Sequence, residues 1–258
     1  MPKKNVIKFF FNEGNWGDKF SPILVEMISG EKPELFPMKE KFVHQNEIVY
    51  LTVGSILKFA DSNTIVWGSG FIREEDSLQE KPLKICAVRG PKTREKVLAQ
   101  GIDCPEVYGD PILLLPKFYK PKLLTRKKLG IIPHYVDQDN AWLNSVRNNP
   151  DIRIIDIKGD YFQVIDEIFS CDVIASSSLH GLILPDAYGI PSVWLKFSDK
   201  LWGGNWKFFD YFESVGRIDK EPLLMTDQIT VEDILKRVNS YKIKIDLDRL
   251  LQACPFKK

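Results

Sequence analysis

The sequence predicts an α/β protein made of two Rossmann-like domains that face a cleft, and three observations carry the prediction. Short apolar runs rich in Val, Ile and Phe alternate with helical stretches, the pattern of strand–helix–strand units around a parallel sheet. The alternation breaks at a basic, Pro-containing stretch, KFYKPKLLTRKK (117–128), and then restarts. A length of 258 residues gives each of two modest domains enough chain for a core. These observations place an N-terminal domain at 1–118, a C-terminal domain at 126–228 and a final helix within 229–258 that packs back on the first domain.

The elements follow in order. Val6 to Phe11 reads as a strand, followed by a polar, Gly-rich loop and a helix through Ile23–Ile28. Ile48–Thr52, Ile65–Trp67 and Ile85–Val88 are short apolar strands. Thr93–Gln100 is a helix stopped by Gly101, and Glu106–Tyr108 has strand character. After the basic stretch, treated as a linker, strands are expected at Leu129–Ile132, Arg153–Ile157, Asp172–Ala175 and Ser192–Leu195. Helices are expected at Asn140–Asn148 and Tyr161–Ser170, with a short one after Ser178 and a long one over Val231–Leu251.

Composition narrows the function classes. Lys and Arg (36) balance Asp and Glu (35), so no global field recommends nucleic acid as a partner, and any anion site must be local. Cys86, Cys104, Cys171 and Cys254 are scattered without metal-ligand spacing and read as buried thiols of a reducing cytosol. The apolar run behind the basic N-terminus is broken by Lys8, too short for a signal peptide. The longest apolar stretch, 173–195, contains His180, Pro185 and Asp186, which argues against a membrane span. Three separated histidines and no clustered carboxylates give no reason to expect a metal.

Four loops at strand ends hold the candidate chemistry. In SSSLHGLILPDAYGIPSVW (176–194), His180 follows a strand at the edge where open α/β sheets bind ligands. Ser176, Ser177 and Ser178 suit a helix cap, Leu179 and Gly181 flank the histidine, Gly181 permits close approach, and the helix N-terminus suits an anion. A histidine satisfied within a turn is the competing account. In FFNEGNWGDKFSP (10–22), Asn15, Gly17 and Asp18 stand at a strand-to-helix corner, with Asp18 alternatively the N-cap. In IVWGSGFIR (65–73), Gly68 and Gly70 suit a cleft wall, but Arg73 stands where a dinucleotide fingerprint needs its last glycine. In CAVRGPKTREKV (86–97), Arg89 ends a strand beside a helix N-terminus, a pairing suited to a carboxylate or phosphate. His134, in IIPHYVD, follows a second-domain strand.

Taken together, the blocks NWGDKFSPILVEMISG, WGSGFI, AVRGPKT…GIDCPEVYGDPILLLP, SSLHGLILPDAYGIPSVWL and KFFDYFESVG resemble the polysaccharide pyruvyl transferase family, in its bacterial exopolysaccharide and capsule branch. The resemblance implies a fold like the B-type glycosyltransferases. It also implies transfer of the enolpyruvyl carbons of phosphoenolpyruvate, the only co-substrate, to a sugar as a ketal. His180 then matches the family's essential histidine, as general acid, and Arg89 an arginine used on the phosphate or carboxylate. Some members carry a second arginine where this chain has Ser178, and Lys196, Lys207 or Arg94 are its candidate replacements. Asn15 and Asp18 are assigned to the acceptor, Asp18 as base, with His134 as a further acceptor contact.

By the same resemblance the acceptor is a galactose taking a 4,6-ketal, on a polyprenyl diphosphate-linked oligosaccharide at the cytoplasmic membrane face. The basic stretch 117–128 then either touches anionic lipid or is a solvated linker. Two rivals stand beside this reading: a nucleotide-sugar glycosyltransferase of the same shape, and a non-catalytic carbohydrate-binding protein.

Overall fold

The structure is a computed structural model and describes residues 6–9, 16–37, 48–239 and 241–256. The chain divides into two compact units: unit 1 holds the described residues of 1–118, 205–217 and 244–258, and unit 2 holds 119–204 and the described residues of 218–243. Elements are numbered in chain order.

Unit 1 contains β1 (Val6–Phe9), α1 (Trp16–Ser29), β2 (Glu34–Pro37), β3 (Val49–Leu51), β4 (Thr64–Trp67), β5 (Lys84–Ala87) and α2 (Pro91–Ala99), and is completed by α6 (Trp206–Val215) and α8 (Leu247–Gln252). Its strands form one parallel sheet in the order β2-β1-β3-β4-β5. The chain runs from β1 to β2 on one side and to β3 on the other, so order reverses between β1 and β3. Trp67, fully buried on β4, donates its indole N–H to the carbonyl of Leu250 at 2.9 Å. Leu250 and Phe256 join Val25, Tyr50 and Leu114 in one apolar cluster, so the C-terminal helix is part of this unit's core.

Unit 2 contains β6 (Lys127–Ile132), α3 (Ala141–Val146), β7 (Ile152–Ile154), α4 (Tyr161–Phe169), β8 (Cys171–Ser176), α5 (His180–Ala187), β9 (Ser192–Lys196), β10 (Leu223–Leu224) and α7 (Val231–Lys236). Its sheet is also parallel, ordered β10-β9-β8-β6-β7. Order reverses between β6 and β8. Leu129, Ile131, Ala175, Val193 and Leu195 of the central strands are buried with Trp142, Leu143 and Ile234 from the helices.

Several expectations are corrected. The strand at Glu106–Tyr108 reduces to a single bridge, Val88 to Tyr108, because Gly109 takes a φ of 131° and Asp110 caps a 3-10 turn through the Ile112 N–H. The long helix over Val231–Leu251 is two short helices, α7 and α8, each with its own N-cap: Thr230 in a reciprocal capping box with Asp233, and Asp246 accepting from the Arg249 N–H. Between them Tyr241 hydrogen-bonds Asp186 and Ser192, holding that stretch on unit 2. Residues 205–217, expected in the second domain, pack with unit 1. The stretch expected as a linker is docked from Tyr119 onward: the Tyr119 hydroxyl and the Lys122 N–H both donate to Asp166 at 2.8 Å, and the Leu124 N–H donates to Ser170 Oγ at 2.7 Å. Strands β2 and β10 had no sequence expectation. No helix among the described residues is long and apolar enough to cross a membrane.

All four cysteines are free and buried, and burial pushes the Cys104 and Cys171 thiols up to about 11 and raises that of Cys86. A thiol with a raised pKa and no solvent access presents almost no thiolate at neutral pH. The native protein should therefore be inert to a disulfide reagent such as dithionitrobenzoate at pH 7, releasing four thiols per chain only on unfolding. Rapid labelling of the folded chain would contradict this.

Candidate active site

The carboxyl edge of the unit 2 sheet gathers about half of the sequence candidates. β6 ends at Ile132 and β8 at Ser176, the two strands flanking the point where strand order reverses. The His134 N–H donates to Ser177 Oγ at 2.8 Å, and the Ser177 N–H donates to the Ile132 carbonyl at 3.2 Å. Ser176 Oγ donates to the same carbonyl at 2.9 Å and accepts from the Ser178 N–H at 2.9 Å. The serine run thus laces the loop after β8 to the end of β6.

That lacing corrects the capping expectation. α5 begins at His180, its N-cap is Leu179 in the helical region, and no side chain caps it. No serine caps its first turn, where the Leu182 N–H donates to the Leu179 carbonyl at 3.0 Å. Gly181 is likewise explained by packing: an added Cβ would lie 2.1 Å from Ser176 Oγ, so the close approach it allows is to the serine loop. His180 itself is 6% exposed in the first turn of α5, next to buried Ser177, Ser178 and Leu179. On the neighbouring strand, Lys196 pairs with Asp199 at 2.5 Å, and Ser198 Oγ donates to the buried carboxylate of Asp137 at 2.5 Å. His134 stacks on Tyr135 with ring centroids 4.2 Å apart. Asp137, Ser198 and Asp199 were not singled out from sequence. Their only signal is position, each within five residues of a strand's carboxyl end.

In unit 1 the geometry changes the meaning of the arginine motif. Arg89 is fully buried, and its guanidinium is engaged inside the unit: Nε donates to Asp210 Oδ2 at 2.9 Å, Nη1 to Ser55 Oγ at 2.6 Å and Nη2 to the Phe71 carbonyl at 2.6 Å. Asp210, also fully buried, accepts in addition from the Thr93 N–H and the Thr93 hydroxyl, each at 2.8 Å. Thr93 lies in the first turn of α2. The anion that this arginine and this helix N-terminus hold is a carboxylate of the chain itself, delivered by α6. Arg89, expected to meet a substrate anion, is here a buried ion-pair partner of Asp210.

Gly70 and Gly90 leave room for that arrangement, and Gly68 leaves room for Pro111. A Cβ on Gly70 would stand 2.6 Å from the Arg89 guanidinium carbon, and one on Gly68, at φ 90°, would stand 2.4 Å from Pro111 Cδ. Gly90 is tightest, with its Cβ position 1.9 Å from the Asp210 carbonyl. Its φ of −159° suits any residue, so the cost of Gly90→Ala is wholly steric. We expect that substitution to cost about 3 kcal/mol or more, read as a fall in the denaturant midpoint; an unchanged midpoint would mean that α6 yields.

The other candidates disperse. Arg94 donates from Nε to the Cys104 carbonyl at 3.0 Å and hydrogen-bonds Tyr108, closing the loop after α2. Lys207 is buried in the first turn of α6 with its ammonium 5.7 Å from the Phe208 ring centre. Gly17 is buried in the first turn of α1, while Asn15 and the Asp18 side chain lie outside the described residues. Asp18 falls within α1, which starts at Trp16, rather than at its N-cap.

Residues 44–199 match the family model described as polysaccharide pyruvyl transferase. An uncharacterised protein of Acanthamoeba polyphaga mimivirus is 30% identical over 223 residues, 83% of this chain and 75% of its own. The succinoglycan biosynthesis protein ExoV of Rhizobium meliloti is 27% identical over 213 residues, 79% of this chain and 62% of its own. A functionally uncharacterised Klebsiella pneumoniae protein of solved structure aligns over 86% of this chain and 93% of its own, with a TM-score of 0.46 and 12% identity. The matched residues run from ahead of β3 through β9 and take in both the Arg89 and the His180 blocks, so the chain belongs to the polysaccharide pyruvyl transferase family.

Proposed function

We propose that the protein transfers the enolpyruvyl carbons of phosphoenolpyruvate to two hydroxyls of a sugar, forming a pyruvate ketal and releasing phosphate. The observation that supports this reading best is the convergence of His134, Ser177, Ser178 and His180 where strand order reverses in unit 2, the position at which open α/β sheets take small ligands. The methylene carbon of phosphoenolpyruvate takes a proton, one sugar hydroxyl adds to the resulting cationic carbon, phosphate leaves and the second hydroxyl closes the ring. The two hydroxyl protons end on the new methyl group and on phosphate, so the reaction balances without water. His180 is assigned as the general acid.

With Arg89 committed to Asp210, the anionic ends of phosphoenolpyruvate fall to Lys196 and the positive N-terminal end of α5. The Lys196 pair is with Asp199, whose side chain is 93% exposed, and such pairs are worth only about 0–1 kcal/mol, so a dianion can displace the aspartate. His134 is assigned to the acceptor, together with Asn15 and with Asp18 as base. The acceptor we favour is a galactose of a bacterial surface polysaccharide or its polyprenyl diphosphate-linked precursor, taking a 4,6-ketal in the cytoplasm, where phosphoenolpyruvate is made.

The test is phosphate release from phosphoenolpyruvate against a panel of galactosyl and mannosaminyl acceptors, with mass spectrometry of the products. The expected product is heavier than its acceptor by one pyruvic acid less one water. No release with any acceptor, together with thermal stabilisation by a nucleotide sugar, would overturn the reading in favour of glycosyl transfer.

A further inference from the structure

Residues 119–126 form a strap across the amino edge of the unit 2 sheet, the edge opposite His134 and His180. Its backbone is fastened from behind: Lys122 and Leu124 donate their N–H groups to Asp166 and Ser170, and the Thr125 carbonyl accepts from Arg153 Nη2 at 3.0 Å. A tethered strap fixes the direction of its side chains. Six of its eight residues are exposed, and two of those six are apolar, Leu123 at 61% and Leu124 at 40%. The strap thus presents two adjacent leucines to water.

The strap and the start of β6 carry five cations. Lys120, Lys122, Arg126, Lys127 and Lys128 lie within nine residues. Arg126 and Lys128 are paired with Asp172 and Asp151 in exposed contacts, and Lys127 Nζ donates to the Pro150 carbonyl. Lys120 and Lys122 have no acidic partner among the described residues and stand on either side of Pro121, next to the leucines. Two apolar side chains at the tip of a cationic rim are complementary to a bilayer surface of anionic lipid: the leucines reach the acyl boundary while the lysines meet headgroup phosphates. A nucleic acid would use the lysines and leave the leucines idle.

We propose that this strap docks unit 2 on an anionic membrane through Leu123 and Leu124, with Lys120 and Lys122 as its electrostatic contacts. The inference stands apart from the proposed transferase activity. β6 runs for six residues from this edge to the other, about 20 Å at the usual rise per residue. Docking at the amino edge therefore leaves the carboxyl edge, with His134 and His180, in water.

The test is co-sedimentation of the full chain with vesicles of phosphatidylcholine and phosphatidylglycerol, against vesicles of phosphatidylcholine alone. Binding to the mixed vesicles only, weakened by added salt, is expected. The double variant Lys120→Glu/Lys122→Glu should lower partitioning about thirtyfold or more, at roughly fivefold per lysine near an anionic surface. Leu123→Ser/Leu124→Ser should lower it as well while leaving the melting temperature unchanged, since both side chains are exposed. No binding to the mixed vesicles, or equal binding to both kinds, would overturn the proposal. So would binding to mixed vesicles and to duplex DNA that the leucine variant leaves intact, because that result describes a general polyanion patch.

Discussion

Arg89→Ala should cost the protein its stability before it costs any affinity for substrate. The substitution leaves the Asp210 carboxylate fully buried with only Thr93 to satisfy it, and removing one partner of a buried ion pair typically costs about 3–5 kcal/mol. For a protein of this size that corresponds to a fall in melting temperature of roughly 10 °C. Asp210→Ala should fall comparably, and the double variant should cost less than the two single losses combined, because the members of a pair are not independent. Thermal unfolding of the three variants decides the matter. If Arg89→Ala melted like the parent protein while its KM for phosphoenolpyruvate rose, the guanidinium would be serving the ligand, and the internal pairing would be incidental.

The largest effect on turnover should come from His180→Ala. Loss of a positioned general acid typically lowers kcat by about a hundredfold to ten-thousandfold, and the lost group opens α5, after a loop held by the hydrogen bonds of Ser176 and Ser177. The folded state should therefore survive, with phosphate release abolished and the melting temperature changed by much less than in Arg89→Ala. The pair of variants separates two roles that the sequence motifs present as one: activity lost with the fold kept for His180, and fold lost for Arg89. Wild-type turnover in His180→Ala would remove the acid assignment.

How much was legible in the sequence differs between these two residues for a physical reason. The chemistry of the VRGP block was readable, since an arginine at a strand end beside a helix N-terminus does hold a carboxylate. Its owner was not readable, because Asp210 is 121 residues away and nothing local marks it as the partner. The same limit explains Gly70, Gly90 and Gly181, whose missing side chains make room for Arg89, Asp210 and Ser176 rather than for a ligand. Strand and helix alternation, by contrast, is a local property, and it located eight of the ten strands to within one to three residues, although one further expected strand, Glu106–Tyr108, shrank to a bridge. β10 escaped notice because two residues, Leu223 and Leu224, are too few for any periodicity. The serines of the His180 loop were noticed, but a cap and a lace between two strands use the same hydroxyls, and only the strand order tells them apart.

The division of the chain has a consequence for its synthesis. The polypeptide passes from one unit to the other at residues 118/119, 204/205, 217/218 and 243/244, and the indole of Trp67 is satisfied by a carbonyl 183 residues later. Unit 1 begins first and is completed last. While the ribosome is still translating unit 2, β4 and β5 lack α6 and α8, so Arg89 has no Asp210 and the Trp67 face has no cover. Non-local closure of this kind slows folding and prolongs exposure of apolar surface. Truncation before Leu247 should therefore yield aggregated chain rather than a smaller folded protein, and a nascent chain should be a chaperone client until α8 emerges.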